Sequence, residues 1–215
     1  MAVRARGLST DSATNVAPTV PFRYTVVAGD TTASVASVFA TDPNVIATSA
    51  GSTDGTLAPG TQITVNAAPL WKRMTGAPFA SNEALVEDEA RQRDVQPSLA
   101  LAVSWQESRL QQESRSSTGA IGIMQVEPDT ATLASRDLGI SLDPSVARDN
   151  VIVGLFWLHS LLTSYGDNEA SALAAYYEGP GNLERRGYVS GTADYVSRVQ
   201  QTRRALLTVN PHLDS

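Results

Sequence analysis

The chain has 215 residues, 42% hydrophobic and 18% charged, enough for one ordinary domain and a small companion. A formal net charge of −6 leaves no basic footprint for nucleic acid, and the absence of cysteine excludes disulfides and thiolate metal sites. Its two histidines, His159 and His212, match no metal-ligand spacing, so no metal and no cofactor are expected.

Residues 1–22 are polar and aperiodic and read as a disordered leader. They lack the apolar stretch of a signal peptide, and no window of the chain is apolar for long enough to span a membrane. Composition then shifts, because residues 24–65 contain no Lys or Arg and are rich in Thr, Ala, Val and Gly. RYTVV reads as a strand and AGDTT as a turn with a helix cap. ASVASVFA reads as a short helix with Val35, Val38 and Phe39 on one face. Asp42-Pro43 starts a second helix, with Asp as N-cap and Pro at the first helical position. APGTQITV turns into a closing strand carrying Ile63 and Val65. Residues 23–66 are thus expected to form a small strand-helix-helix-strand domain.

Residues 67–80 read as a linker, with Trp71 and Phe79 docking on a neighbouring surface. Residues 81–210 read as an all-helical domain, with Ser81 as its first N-cap. Helices are expected over 82–93, 97–110, 128–135, 144–165, 168–177 and 192–207. Pro144 marks one start, and Gly179-Pro180-Gly181 marks a break.

The segment Tyr24–Val65 carries Tyr24-Thr25-Val26, Gly29-Asp30-Thr31, Asn44-Val45-Ile46 and Leu57-x-Pro59-Gly60-x-x-Ile63. On these landmarks it resembles a LysM domain. The resemblance implies recognition of N-acetylglucosamine-containing glycans in a shallow groove between two loops. Here those loops would bring Gly29, Asp30, Thr31 and Thr32 together with Ser49 and Ala50. The segment is acidic, so contact would rest on backbone hydrogen bonds and apolar surface and not on attraction to an anionic wall.

In Leu99–Leu110, Glu107 falls about 20–40° from Ala100 and Val103 around the helix, at the edge of the apolar face. Such a carboxyl can be partly desolvated, which raises its pKa toward the range of a general acid. Phase alone also admits a solvated boundary charge. The next segment carries more: Ser116-Ser117-Thr118-Gly119-Ala120-Ile121-Gly122-Ile123-Met124-Gln125-Val126-Glu127-Pro128 follows Glu107-Ser108. Farther on come Ala175-Tyr176-Tyr177-Glu178-Gly179-Pro180-Gly181 and Tyr195-Val196-x-Arg198-Val199. Together these resemble the transglycosylase SLT family, whose patterns are a Glu-Ser pair, S-x-x-G-A-x-G-[LI]-M-Q-x-x-P, A-Y-N-A-G-P-G and Y-V-x-x-V.

That resemblance implies a mainly α architecture, with a lysozyme-like catalytic domain behind the small βααβ unit. It implies Glu107 as the catalytic residue, and Ser108, Ser116, Gly122, Met124, Gln125, Tyr176, Tyr177 and Tyr195 as glycan contacts. The implied partner is the peptidoglycan glycan strand, met outside the cytoplasm by a monomer that is wall-associated or secreted. The implied reaction cuts the bond between N-acetylmuramic acid and N-acetylglucosamine, leaving 1,6-anhydromuramyl ends. No second carboxylate stands out: Glu113 points to another face, and Glu127 reads as a helix-start charge. The pattern departs at Tyr177 and Glu178, where the family has Asn and Ala. Glu178 is either a peripheral charge or a second acid near the cleft. Two alternatives stay open: a hydrolase of the goose-type lysozyme kind, and a non-catalytic wall-binding protein.

Overall fold

The computed structural model describes residues 20–26, 29–39, 41–67, 79–166, 168–189 and 191–215. The leader as far as residue 19, most of the expected linker with Trp71, and the side chains of Val38 and Phe79 lie outside what is described.

The first unit is built from β1 (Val20–Thr25), α1 (Thr32–Phe39), α2 (Pro43–Ala50) and β2 (Gln62–Ala67). β1 begins at Val20, inside the stretch expected to be leader, because it pairs antiparallel with β2 from Val20↔Ala67 to Thr25↔Gln62. At the start of α1, the Thr31 amide donates to Ser34 Oγ (2.9 Å) and the Ser34 amide donates to Thr31 Oγ1 (3.0 Å). This reciprocal exchange satisfies two amides that the helix leaves open. Asp42 caps α2 through the Asn44 amide (2.8 Å), with Pro43 in the first turn as its fixed φ favours. Tyr24, Val35, Phe39, Ile46, Ile63 and Val65 fill the interior, and the Tyr24 ring meets Phe39 edge-on at 5.5 Å.

The second unit comprises α3 (Phe79–Arg91), α4 (Pro97–Ser108), α5 (Pro128–Leu138), α6 (Ala147–Ser164), α7 (Glu169–Glu178), α8 (Pro180–Arg186) and α9 (Thr192–Val209). Every residue of α4 from Pro97 to Trp105 is buried, which makes it the central helix, flanked by α3 and α9. Its own N-cap position, Gln96, makes no side-chain cap. The open amide of Ser98 instead donates to Asp214 Oδ1 (2.8 Å), and the Ser98 hydroxyl donates to Asp214 Oδ2 (2.6 Å). Arg203 then ties Asp214, Ser98 and Glu169 together. The buried Glu89 of α3 is neutralised by Arg93 and by Arg148 of α6, as a buried charge requires. The first unit is not isolated, since α1 packs against α9.

Two expected boundaries move, and a third gains a helix. α3 starts at Phe79, so Ser81 lies inside the helix and does not cap it. α6 starts at Ala147 and not at Pro144, because Asp143 holds a turn there. Its Oδ1 accepts from the Ser145 amide at 2.9 Å, while the Pro144 carbonyl accepts from Gln112 and Asn150 at 3.0 Å each. The Gly179 break is real, but Pro180 also begins a two-turn helix, α8, that periodicity did not reveal.

Candidate active site

Glu107 sits in the last turn of α4, half-buried. Its Oε1 accepts a hydrogen bond from the Tyr195 hydroxyl of α9 at 2.5 Å. Burial pushes the Glu107 carboxyl up to about 7, and the Tyr195 hydrogen bond opposes the rise. The Tyr195 and Tyr176 phenols are both held well above their ordinary value, first by burial and then by the Glu107 charge. They therefore act as hydrogen-bond donors. The Tyr176 hydroxyl donates to the Met124 carbonyl at 2.9 Å.

The chain leaves α4 through Arg109 and Leu110, both with left-handed φ (59° and 62°), and doubles back over the helix end. Ser108 fixes that return: its hydroxyl donates to the Ile123 carbonyl (2.7 Å) and accepts from the Gln111 amide (3.0 Å). Asn150 of α6 is fully buried and holds the loop from the other side. Its Oδ1 accepts from the Met124 amide (2.9 Å) and its Nδ2 donates to the Ile121 carbonyl (2.7 Å). Gly122 has φ +78°, and a Cβ there would lie 2.4 Å from Asn150 Nδ2. Glycine at this position therefore serves the loop's packing on Asn150. A Cβ on Gly154 would likewise lie 2.5 Å from Met124. Gln125, at φ 47°, donates from its side-chain Nε2 to the Gly122 carbonyl at 3.0 Å. A non-glycine residue held left-handed is strain that the surrounding bonds maintain.

Glu107 opens into a cavity of about 450 Å³. Of the expected contacts, Ser116, Gln125, Tyr176 and Tyr177 line it. Tyr195 is buried beside Glu107, with the half-exposed Tyr177 ring stacked on it at 4.7 Å. Ser108, Gly122 and Met124 do not reach the cavity. Ser108 spends its hydroxyl on the loop, and Met124 is fully buried against Gly154. These three residues build the wall from behind.

Several lining residues escaped the sequence reading: Thr130, Gly154, Trp157 and Asn182. A lone glycine inside the apolar α6 was the one available signal. Glu127 also lines the cavity; it sits at the N-cap of α5 without making a side-chain cap. Glu178 is on the same wall. Its Oε1 accepts from the Val189 amide (3.2 Å) and from the Thr192 hydroxyl, while its buried Oε2 has no hydrogen-bond partner among the described residues. It is thus more than a peripheral charge.

The six expected glycan contacts of the first unit are not brought into one groove. Asp30 is buried and accepts the Tyr24 hydroxyl at 2.7 Å, and Thr32 is buried with its amide on the Gly55 carbonyl (3.1 Å). Ser49 exchanges hydrogen bonds with both the amide and the carbonyl of Thr64 (2.8 and 2.9 Å). Gly29 and Thr31 face a crevice against Asp194, Ser197 and Arg198 of α9. Ala50 lines a separate hollow with Gly51–Asp54 and Thr56–Ala58. Among the described residues no cluster of His, Asp or Glu is suited to a metal ion, and no helix is long and apolar enough to cross a membrane.

The comparisons with known proteins fall on the second unit. The chain is 31% identical over 144 residues to the soluble lytic murein transglycosylase of Salmonella typhimurium, and 30% identical to that of Escherichia coli K12. Each match covers 62% of this chain, and the chain spans only 22% of either relative. Among solved structures, lytic transglycosylase Slt from Pseudomonas aeruginosa, an inactive Glu-to-Gln mutant, superposes with a TM-score of 0.56 at 27% identity. That similarity covers 62% of this chain and 25% of the other. The 70 kDa soluble lytic transglycosylase of E. coli gives a TM-score of 0.54 at 25% identity, covering 61% and 25%. The family profile described as the transglycosylase SLT domain matches residues 84–196, from α3 into α9, and the chain belongs to that family.

Proposed function

We propose that the chain is a peptidoglycan lytic transglycosylase acting outside the cytoplasm as a monomer, with Glu107 as its one acid and base. The observation that carries this reading is the half-buried Glu107 carboxyl, pushed up to about 7, bonded to Tyr195 and open to a cavity. Near neutral pH a large fraction of it is protonated and can donate to the glycosidic oxygen as the C1–O bond breaks. The resulting carboxylate, stabilised by the Tyr195 hydroxyl, then takes the proton of the muramic C6 hydroxyl. O6 closes on C1 to give the 1,6-anhydro end. The nucleophile belongs to the same sugar ring, so proximity replaces a second catalytic group and water is not consumed.

The names of the relatives and the inactive Glu-to-Gln neighbour support this chemistry. Mass spectrometry of digested peptidoglycan tests it. Muropeptides lacking the mass of water are expected, and Glu107→Gln should abolish their release while the variant still binds wall. A second reading, hydrolysis, draws on Glu127 and Glu178, which share the cavity with Glu107 and could direct a water. Reducing ends in the digest would favour it. Wall clearing unchanged by Glu107→Gln would instead indicate a non-catalytic wall-binding protein.

We further infer that the first unit is a LysM-like glycan binder. Its strand-helix-helix-strand order and the landmarks from Tyr24 to Ile63 support this reading. The surface offered is the hollow from Ala50 to Thr61, since Asp30 and Thr32 are spent inside. Titrating the Glu107→Gln chain with chitooligosaccharide should shift amide resonances of Gly51–Ala58. Shifts confined to the Glu107 cavity would count against a wall anchor.

A further inference from the structure

Tyr177 and Glu178 are the two residues at which the chain departs from the family pattern it otherwise follows, and both touch the support of Tyr195. The Tyr177 ring lies nearly parallel to that of Tyr195, 22° apart with centroids at 4.7 Å. It stays 47% exposed on its other side, so it covers Tyr195 from the cavity. Gly191, at φ +95°, makes room for it: a Cβ there would sit 3.3 Å from the Tyr177 hydroxyl. Glu178 acts one step farther back. Its Oε1 receives the Val189 amide and the Thr192 hydroxyl. Thr192 is fully buried and is the first residue of α9, one turn before Tyr195. The Tyr195 amide in turn donates to the Gly191 carbonyl at 2.8 Å.

We propose that Tyr177 and Glu178 are a positioning pair: the ring and the carboxylate at the end of α7 hold Tyr195 so that its hydroxyl stays on Glu107. Tyr177 fixes the ring plane, and Glu178 fixes the start of the helix from which the ring projects. Neither residue needs to touch the reacting atoms. The pair also accounts for the Glu178 carboxylate on the cavity wall without giving it a chemical step.

Glu107 is faced by Tyr176 from α7 and Tyr195 from α9. Arg198 acts on Tyr195 from one turn beyond, and Glu127 and Glu178 share the cavity. Of these, the Tyr195 hydrogen bond pulls the Glu107 carboxyl down against its burial. Loosening Tyr195 should therefore raise the Glu107 midpoint.

The test follows the Glu107 carboxyl by carbon-detected NMR titration in the full chain, alongside kcat and KM on glycan strands. Tyr177→Ala and Glu178→Ala are expected to raise the midpoint by about half a pH unit or more and to lower kcat about tenfold with a smaller change in KM. Tyr177→Phe and Glu178→Gln keep the ring and the acceptor oxygen, and should restore both readouts. Thr192→Val removes only the hydroxyl donor and should move the midpoint the same way, which covers the case of an Ala variant that fails to fold. An unmoved midpoint in the folded Ala and Thr192→Val variants overturns the pair. So does a Glu178→Gln variant that loses turnover with its midpoint unchanged, because the carboxylate would then be acting in the chemistry. The pair rests on the proposed reaction for its kinetic readout only: reducing ends in the wild-type digest would refute that reaction, while the titration would still decide the pair.

Discussion

The molecule contains the same pair twice: a tyrosine hydroxyl on a carboxylate, once in each unit. Tyr24 donates to Asp30 at 2.7 Å, and Tyr195 donates to Glu107 at 2.5 Å. α9 serves both, presenting Tyr195 to Glu107 and Arg204 to Tyr24. The difference lies in what stands on the far side of the carboxylate. Asp30 faces a closed interior, so its pair can only hold the fold together. Glu107 faces a cavity, so its proton has somewhere to go. Hydrogen-bond chemistry alone does not make a site; access does.

The largest expected effect separates the two pairs by activity. Glu107→Gln should lower turnover about 10³-fold, the range lost with a general acid, while circular dichroism stays native. Asp30→Ala should do the reverse: it leaves the Tyr24 hydroxyl short of its acceptor and should cost about 2 kcal/mol in urea unfolding. Its kcat on soluble fragments should match wild type, and a tenfold loss there would break the comparison.

A third expectation concerns pH. Folded Glu107 keeps its proton up to about 7, whereas an ordinary glutamate loses it near 4.5. The folded state therefore binds a proton that the unfolded state has released between those values. The associated stability is fully present below the unfolded value and is lost as pH rises through 7. Glu107→Gln should accordingly be more stable than wild type at pH 8, by on the order of 2 kcal/mol, and no more stable at pH 4. Parallel unfolding curves at both pH values would show the carboxyl to be unperturbed. The smallest effect should be Ser108→Ala, about 1 kcal/mol of stability, with KM for glycan nearly unchanged. A large rise in KM would return Ser108 to the list of ligand contacts.

The sequence carried the helices where a period or a proline marked them, and the position of Glu107 on the edge of α4 follows from phase alone. Several features were hidden. Which members of the Gly-Met-Gln motif face the cavity is decided by Asn150 and Gly154, residues of a distant helix that hold Gly122 and Met124 from behind. A motif read in one dimension does not separate the wall from its surface. Asp30 was legible as a polar loop residue, but its burial depends on Tyr24, six positions away, reaching back over the turn. Pro144 was overruled by side chains of Gln112 and Asn150 competing for its carbonyl. The α4 cap was beyond local reading altogether, since Ser98 and Asp214 are 116 residues apart.

That last distance has a consequence for how the molecule is made. Glu107 and the loop around it are synthesised early, but its phenol lies 88 residues later and the cap of its helix later still. A nascent chain that has emerged only through α7 holds the acid without the donor that steadies its anion. Contacts so far apart along the polymer also close slowly. The Tyr195–Glu107 pair is therefore completed only once α9 is in place.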